Sequence, residues 1–375
     1  MRDDTVFAVL RQLWTPDGAT RREIESALNL SRPTVDKALA ELLGRGLVAP
    51  VGTRACRGGR PATVFRVSAN VCSVAGVDLE LPQLDCVLAD LWGNPLHRLT
   101  LSVAPGSADP IALLREVGER IAGWLESLGA TCPRIGGVGV AVPAFVTDGV
   151  ASFAGATMPT WRGVAIAGIL EREISAPIHV HHDTHLMALA EARACQLDGE
   201  VLLYLALRPG LSGEVRFGAS LLLGGRPYRG GHGHGGSLFR AFVGREELDG
   251  RTPEDRVVLL VDRAVGFLVH AVTLLDPERI VIHGGLLGDE EEAFVAGCRR
   301  RLRETLAGEF PALQEVARAV ERGPAAALGA ALSVVEHLRD NPQPLFAHQG
   351  GESGNRVAGQ TVSKAQLRRK GGDTS

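Results

Sequence analysis

The sequence predicts an α/β body of two related halves, set behind a small head of three helices and a two-stranded ribbon. Two observations predict it. From Val71 onward, apolar strand-like runs and amphipathic helical stretches follow an order that occurs twice: strands first, then helices interleaved with strands. Before Val71 the apolar period is helical three times, then gives way to two short strands around a loop rich in Gly and Arg.

Residues 5–14 place Val6, Val9, Leu10, Leu13 and Trp14 at helical spacing, ahead of a Pro16-Asp17-Gly18 turn. Thr20-Arg21-Arg22-Glu23 is a capping box that opens a second helix, with Ile24, Ala27 and Leu28 facing inward. Ser31 caps a third helix, in which Val35, Ala38, Leu39, Leu42 and Leu43 recur along one face until Gly44 and Gly46 end it. Strands are expected at 47–51 and 62–67, on either side of the loop 52–61. This is the outline of a winged helix-turn-helix over residues 1–70. In the body, 71–340, strands are expected at 74–79, 84–91, 97–103, 136–142, 177–182, 201–207, 217–223 and 279–283. Helices fit 110–128, 163–174, 184–196, 253–275, 290–306 and 324–339. Over 341–375 periodicity vanishes and Gly, Gln, Ser and charge dominate, which reads as a disordered tail.

Composition narrows the function classes. The chain is 45% hydrophobic and 22% charged, values of a globular protein. No run approaches the roughly 20 uncharged apolar residues that span a bilayer. The first residues lead into a helical pattern rather than a signal peptide, so the expected location is the cytoplasm. Six cysteines are spread over the chain without a CxxC pair, the usage of a reducing compartment. The net charge of −3 hides an asymmetry: residues 1–70 hold 11 basic against 7 acidic side chains, and the rest is acidic. Double-stranded DNA is therefore a candidate partner for the head alone.

Between Glu41 and Asp78 no acidic residue occurs, while five arginines do. Arg54, Arg57 and Arg60, at intervals of three in the loop, would offer guanidinium groups to phosphates or a narrow minor groove. Ser31, Arg32, Pro33, Thr34 and Lys37 occupy the first turns of the third helix, where a recognition helix enters the major groove.

In the body, Gly76-Val77-Asp78-Leu79 and Ala89-Asp90-Leu91-Trp92-Gly93-Asn94 precede GVGVAVPAFVTDGV (137–150), MPTWRGV (158–164), HHDTHLMALAEA (181–192), RPYRGGHGHGGS (226–237) and DPERIVIHGGLLG (276–288). In this order, and behind such a head, these segments resemble the ROK family of repressors, open reading frames and sugar kinases. The resemblance implies a two-lobed, actin-like and hexokinase-like ATPase fold (ribonuclease H-like) with a sugar cleft between the lobes. Fold alone does not choose between regulator and kinase.

Three departures from the family pattern decide the expectation. The kinases carry an Asp-x-Gly-Gly-Thr-Lys turn for ATP phosphates, whereas this chain has Asp78-Leu79-Glu80-Leu81-Pro82-Gln83. Glu80 brings negative charge towards a polyphosphate, and Pro82 has no N–H to donate. The segment that precedes the family's zinc cysteines corresponds to Gly236-Ser237-Leu238-Phe239-Arg240, with no cysteine until Cys298, so no metal is expected. The sugar-binding Glu-Asn-Asp-x-Asn segment corresponds to His181-His182-Asp183-Thr184-His185. Asp183 matches the kinase general base but is expected here as an effector contact, and Thr157 and Ser237 replace the family's Asn and Glu. His232 and His234 lie in the Gly-rich loop that the family places at the same cleft.

The histidines lack a tight metal-ligand spacing and would instead make ligand binding pH-sensitive near neutrality. The expected effector contacts are Thr157, His182, Asp183, His185, His232 and Ser237. The resulting expectation is a DNA-binding transcriptional regulator, a repressor, working as a homodimer or homotetramer on a palindromic operator. A sugar or sugar derivative is the expected effector; no cofactor, metal, membrane or enzymatic activity is expected. The alternative is an ATP-dependent sugar kinase that also carries a DNA-binding head.

Overall fold

A computed structural model describes residues 2–55, 61–103, 109–129, 132, 134–153, 159–197, 199–210, 213–236, 238, 241–307, 309–310, 315–321 and 323–346. The head comprises α1 (Arg2–Gln12), β1 (Ala19–Thr20), α2 (Arg21–Leu28), α3 (Arg32–Gly44), β2 (Val48–Arg54) and β3 (Ala62–Val67). Its sheet has three strands rather than two, in the order β1-β3-β2. The added strand pairs Ala19 with Phe65 and Thr20 with Val64. The capping box forms as expected: Thr20 Oγ1 accepts from the Glu23 N–H, and Glu23 Oε2 accepts from the Thr20 N–H at 2.7 Å. Asn29, in the left-handed region at φ 51°, turns the chain from α2 towards α3.

The first lobe contains β4 (Ser73–Glu80), β5 (Gln83–Ala89), β6 (Pro95–Ser102), α4 (Pro110–Ser127), β7 (Ile135–Val142), β8 (Phe145–Thr147), β9 (Val150–Phe153), α5 (Ile166–Glu173) and β10 (Ile178–His182). Its sheet order is β10-β7-β4-β5-β6; β4, β7 and β10 are parallel, and β5 and β6 are antiparallel additions. Next come α6 (Asp183–Ala194), β11 (Leu202–Pro209), β12 (Val215–Leu223), β13 (Arg226–Pro227), β14 (Phe242–Val243), α7 (Arg245–Leu248), α8 (Pro253–Leu275), β15 (Arg279–His283), α9 (Glu291–Thr305) and β16 (Val316–Arg318). The second sheet runs β13-β12-β11-β15-β16, with β11, β15 and β16 parallel, and so repeats the first lobe's topology. Helix α8 is long and apolar enough by composition to cross a membrane, yet Leu260, Val261, Ala264, Val265, Leu268 and Val272 are buried in this lobe's core.

Two helices join the lobes: α6, and α10 (Ala325–Asp340). Small residues let them approach closely. A Cβ on Gly76 of β4 would strike the backbone of Ala327, and one on Gly329 would strike the backbone of Leu186 on α6. The alanine-rich start of α10 thus lies between the first sheet and α6.

The head has no core separate from the body. Val9, Leu10, Leu13 and Trp14 share one buried cluster with Val74, Ala89, Leu91, Val334 and Leu338. Residues 341–346, assigned from the sequence to the aperiodic tail, instead include α11 (Gln343–Phe346). Leu345 is buried, the Phe346 ring meets Phe7 at 5.1 Å, and the Arg45 guanidinium lies 5.2 Å above it. Two apolar side chains suffice to dock this segment on the head, and four residues are too few to show a period.

Candidate functional site

Helix α3 begins on the surface. Ser31 takes an extended N-cap conformation without a side-chain cap bond; its hydroxyl lies 2.8 Å from that of Thr34. Pro33 stands in the first turn, where its missing N–H costs no helical bond. Ser31, Arg32, Pro33 and Lys37 are exposed, and Thr34 is half-buried. Asp36 pairs with Arg21 at 2.8 Å and lies 3.8 Å from Arg32, bracing α2 against α3.

Arg54 departs from the expected loop-tip cation. Its guanidinium turns back to pair with Glu23 and to donate to the Asp17 carbonyl at 3.0 Å, because the capping-box carboxylate is the nearest anion. The Thr20 N–H and Arg54 together hold the Glu23 carboxyl below its ordinary value. Arg57 and Arg60 lie outside the described residues.

Between the lobes, charged side chains meet at the ends of apolar strands. Asp78 and Glu80 end β4, Arg208 ends β11, and β10 delivers Asp183 as the first residue of α6. Arg208 Nη2 lies 3.0 Å from Asp78 and 2.9 Å from Glu80, and its Nε lies 3.3 Å from Asp183. Three carboxylates from the first half of the chain therefore close on one guanidinium from the second sheet. Asp183 also accepts from the Thr184 N–H at 2.5 Å and from the Thr184 hydroxyl at 3.0 Å.

The electrostatics follow from burial. Loss of water raises the Asp78 carboxyl above its ordinary value, partly offset by Arg208, and raises Glu80 to about 7. Burial also opposes charge on Asp183, but His182, Arg208, Arg216 and the Thr184 amide outweigh it and hold the carboxyl low. Arg208 stays charged for the reciprocal reason: the three carboxylates outweigh its desolvation. The turn after Glu80 is tight, with Glu80 paired directly to Gln83 across Leu81-Pro82 and a cis peptide before Pro82.

Beside Asp183 lies a pocket of rings. His182 stacks on Phe145 with centroids 4.2 Å apart, His185 meets His182 at 5.1 Å, and His234 lies 5.5 Å from Phe145. His185 Nδ1 is 3.0 Å from the Ser220 hydroxyl, and His234 Nε2 is 3.2 Å from that of Ser152. Nδ1 of His182 and Nε2 of His185 are buried and lack a hydrogen-bond partner among the described residues. Buried polar atoms left so are costly, and a ligand or water that bonds them removes the cost.

The expected pH sensitivity of these histidines is corrected by their surroundings. Burial, aided by neighbouring positive groups, lowers His179 to about 4 and His181 and His185 to about 3; burial also lowers His182. His179, His181 and His185 are therefore neutral at pH 7, whereas Glu80 titrates near neutrality.

The structure places His182, Asp183 and His185 side by side. His232 is instead exposed on the Gly-rich loop and makes no hydrogen bond or ring contact among the described residues, while His234 from that loop reaches the pocket. Both histidines are exposed, and the chain's turn at Gly233, in the left-handed region at φ 78°, separates His234 beside Phe145 from His232. Thr157 and Ser237 lie outside the described residues. Sequence reasoning missed Phe145, Ser152, Arg208 and Ser220. A signal existed for Arg208, a charged residue closing the apolar run Leu202–Leu207.

Comparison with known proteins agrees with this geometry. Residues 74–244 match the ROK family. The chain is 24% identical over 221 residues to the xylose repressor of Caldicellulosiruptor bescii, an alignment covering 58% of this chain and 53% of that protein. The chain thus spans about half the length of that relative. A crystal structure of a ROK family transcriptional regulator, a homolog of the E. coli MLC protein, superposes with a TM-score of 0.67 at 17% identity, over 92% of this chain and 98% of that one. The ROK hexokinase of Thermus thermophilus superposes with a TM-score of 0.53 at 23% identity, over 72% of this chain and 99% of that one. The chain carries a ROK family domain with the two-lobed α/β fold shared by the family's sugar kinases.

Proposed function

We propose that this chain is a DNA-binding transcriptional regulator, a sugar-responsive repressor whose kinase-like cleft senses rather than phosphorylates. One observation carries the reading: the Arg208 guanidinium is clamped by Asp78, Glu80 and Asp183. In a sugar kinase the aspartate matching Asp183 takes a proton from the attacking hydroxyl, and a glycine turn cradles the phosphates. Here the base is paired internally and the turn is Leu81-Pro82 beside an acidic cluster. A polyphosphate approaching it would meet repulsion instead of open amides.

The sugar side of the cleft keeps its means of recognition. His182 and His185 each hold a ring nitrogen without a hydrogen-bond partner among the described residues, which a ligand hydroxyl would satisfy, and Phe145 offers a flat apolar wall. The relative named a xylose repressor makes xylose the first sugar to test. Residues 2–67 act as a winged helix-turn-helix, with the exposed start of α3 in the major groove and a homodimer or homotetramer spanning a palindromic operator. Because the head shares its core with β4 and α10, lobe movement on sugar binding alters head spacing. DNA and sugar then weaken each other's binding by the same factor.

The test is selection of genomic DNA fragments by the full chain with and without xylose and other sugars. A recurrent palindrome released by one sugar is expected. Arg32→Ala is expected to weaken binding to that fragment by about tenfold or more while leaving sugar affinity unchanged. The kinase reading, favoured by the fold shared with the Thermus thermophilus hexokinase, predicts sugar-dependent ADP release from ATP. Such release would overturn the proposal.

A further inference from the structure

A cavity remote from Asp183 opens where the head meets both lobes. It has a volume of about 500 Å3 and lies among Trp14 of the head, the turn between β5 and β6, helix α6, the turn between β12 and β13, and helix α10. That volume lies within the roughly 300–1,000 Å3 of small-molecule sites.

Its walls divide by chemistry. Trp14, Leu91, Leu332 and Val335 make an apolar side. The Trp14 indole N–H is already spent on the Leu91 carbonyl at 3.3 Å, and that of Trp92 on the Val67 carbonyl at 3.2 Å. Both rings therefore offer apolar surface rather than a donor.

The lining also carries Arg193, Arg226 and Arg339, the last on the same face of α10 as Leu332 and Val335. Arg193 donates to the Trp92 carbonyl at 3.2 Å, and Arg226 pairs with Asp340 at 2.8 Å. Arg339 is half-buried and has neither ion pair nor hydrogen bond among the described residues. Glu336 shares this lining; burial raises its carboxyl above the ordinary value, and Arg339 and Arg226 oppose that rise. Three arginines against one glutamate leave the lining basic beside its apolar side chains.

We propose that this cavity binds a small organic anion with a flat apolar body, its acidic group on Arg339 and its body against Trp14, Leu332 and Val335. A guanidinium held by no hydrogen bond or close ion pair among the described residues, with Glu336 as its electrostatic neighbour, is the strongest feature on these walls for recognising a carboxylate, sulfonate or phosphate. The ligand would touch the head, both lobes and the helices joining them, so it would bear on head orientation by a route separate from the sugar cleft. The inference does not depend on what the Asp183 cleft binds.

The probe is 8-anilinonaphthalene-1-sulfonate, an aromatic anion, titrated into the full chain by fluorescence and calorimetry. One saturable site per chain is expected, displaced by 1-naphthalenesulfonate but not by 1-naphthylmethylamine. Arg339→Met keeps the aliphatic stem, removes the charge, and is expected to weaken binding by about tenfold. Val335→Trp is expected to fill the cavity and abolish the site. If Val335→Trp fails to fold, as thermal melting would show, Arg339→Met at its partly exposed position still decides the matter. Unchanged affinity in Arg339→Met, displacement by the amine as well as the sulfonate, or binding that never saturates would each overturn the proposal.

Discussion

Arg32 at the start of α3 and Arg208 in the cleft carry the same side chain in opposite surroundings. The Arg32 side chain is 78% exposed and lies 3.8 Å from one aspartate; that of Arg208 is 11% exposed and contacts three carboxylates. In water the attraction to Asp36 is screened, and Arg32 remains available to an outside anion. In the cleft the same charge is consumed, since desolvated partners hold it far more strongly than solvent does. Under the proposed function, the exposed helix start would bind a polyanion and the cleft would refuse one.

The sharpest way to break this comparison is Arg208→Ala. Three buried carboxylates would lose their cation, and a destabilisation of about 3–5 kcal/mol is expected in denaturant unfolding. A loss below about 1 kcal/mol would mean that water already compensates the cluster, and the contrast would fail.

Glu80→Gln probes the same cluster through pH. Glu80 is raised from 4.5 to about 7, so between these values the folded state keeps a proton that the unfolded chain has released. Its contribution to stability therefore falls as pH rises through that window. The buried histidines slope the other way: lowered to about 3 to 4, they cost stability as pH falls below about 6.5. The glutamine variant removes the first slope alone. Its advantage over the parent should grow from pH 4.5 to about 7, reach on the order of 3 kcal/mol, and then level off. A constant difference across that range would place the Glu80 carboxyl in water.

In the head the effects are smaller. Thr20→Ala removes one half of the capping box and should cost about 1 kcal/mol in thermal or denaturant unfolding. Lys37→Ala should leave stability within about 0.5 kcal/mol. It should lower the slope of log affinity for DNA against log salt by about one, if Lys37 meets a phosphate. An unchanged slope would remove Lys37 from the interface and narrow it to Ser31, Arg32 and Thr34.

Much of the architecture was legible because long periodic segments carry their own signal. Strand 279–283 and helix 253–275 lie where the apolar pattern puts them, and the capping box at Thr20 forms atom by atom. Short elements were not legible. Strand β1 has two residues and exists because Thr20 meets Val64, while β8 and β9 form a hairpin whose strands are too brief to show alternation. In the cleft, Asp183 and its neighbouring histidines stood out in one segment of sequence. Phe145, Ser152, Arg208 and Ser220 come from other segments, and chain order does not say which strand ends converge.

By itself the sequence determined the repeated α/β pattern, the acid-free stretch of the head and the Leu79-Glu80-Leu81-Pro82 segment where the resemblance to the ROK kinases implies glycines, since these depend on the order of residue types. Tertiary structure decided that Arg208 answers Asp78, Glu80 and Asp183, that Arg54 folds back on Glu23, and that burial holds His182 and His185 below their ordinary range. Charge pairing and pKa depend on distance and on the exclusion of water, and both are properties of packed neighbours far apart along the chain.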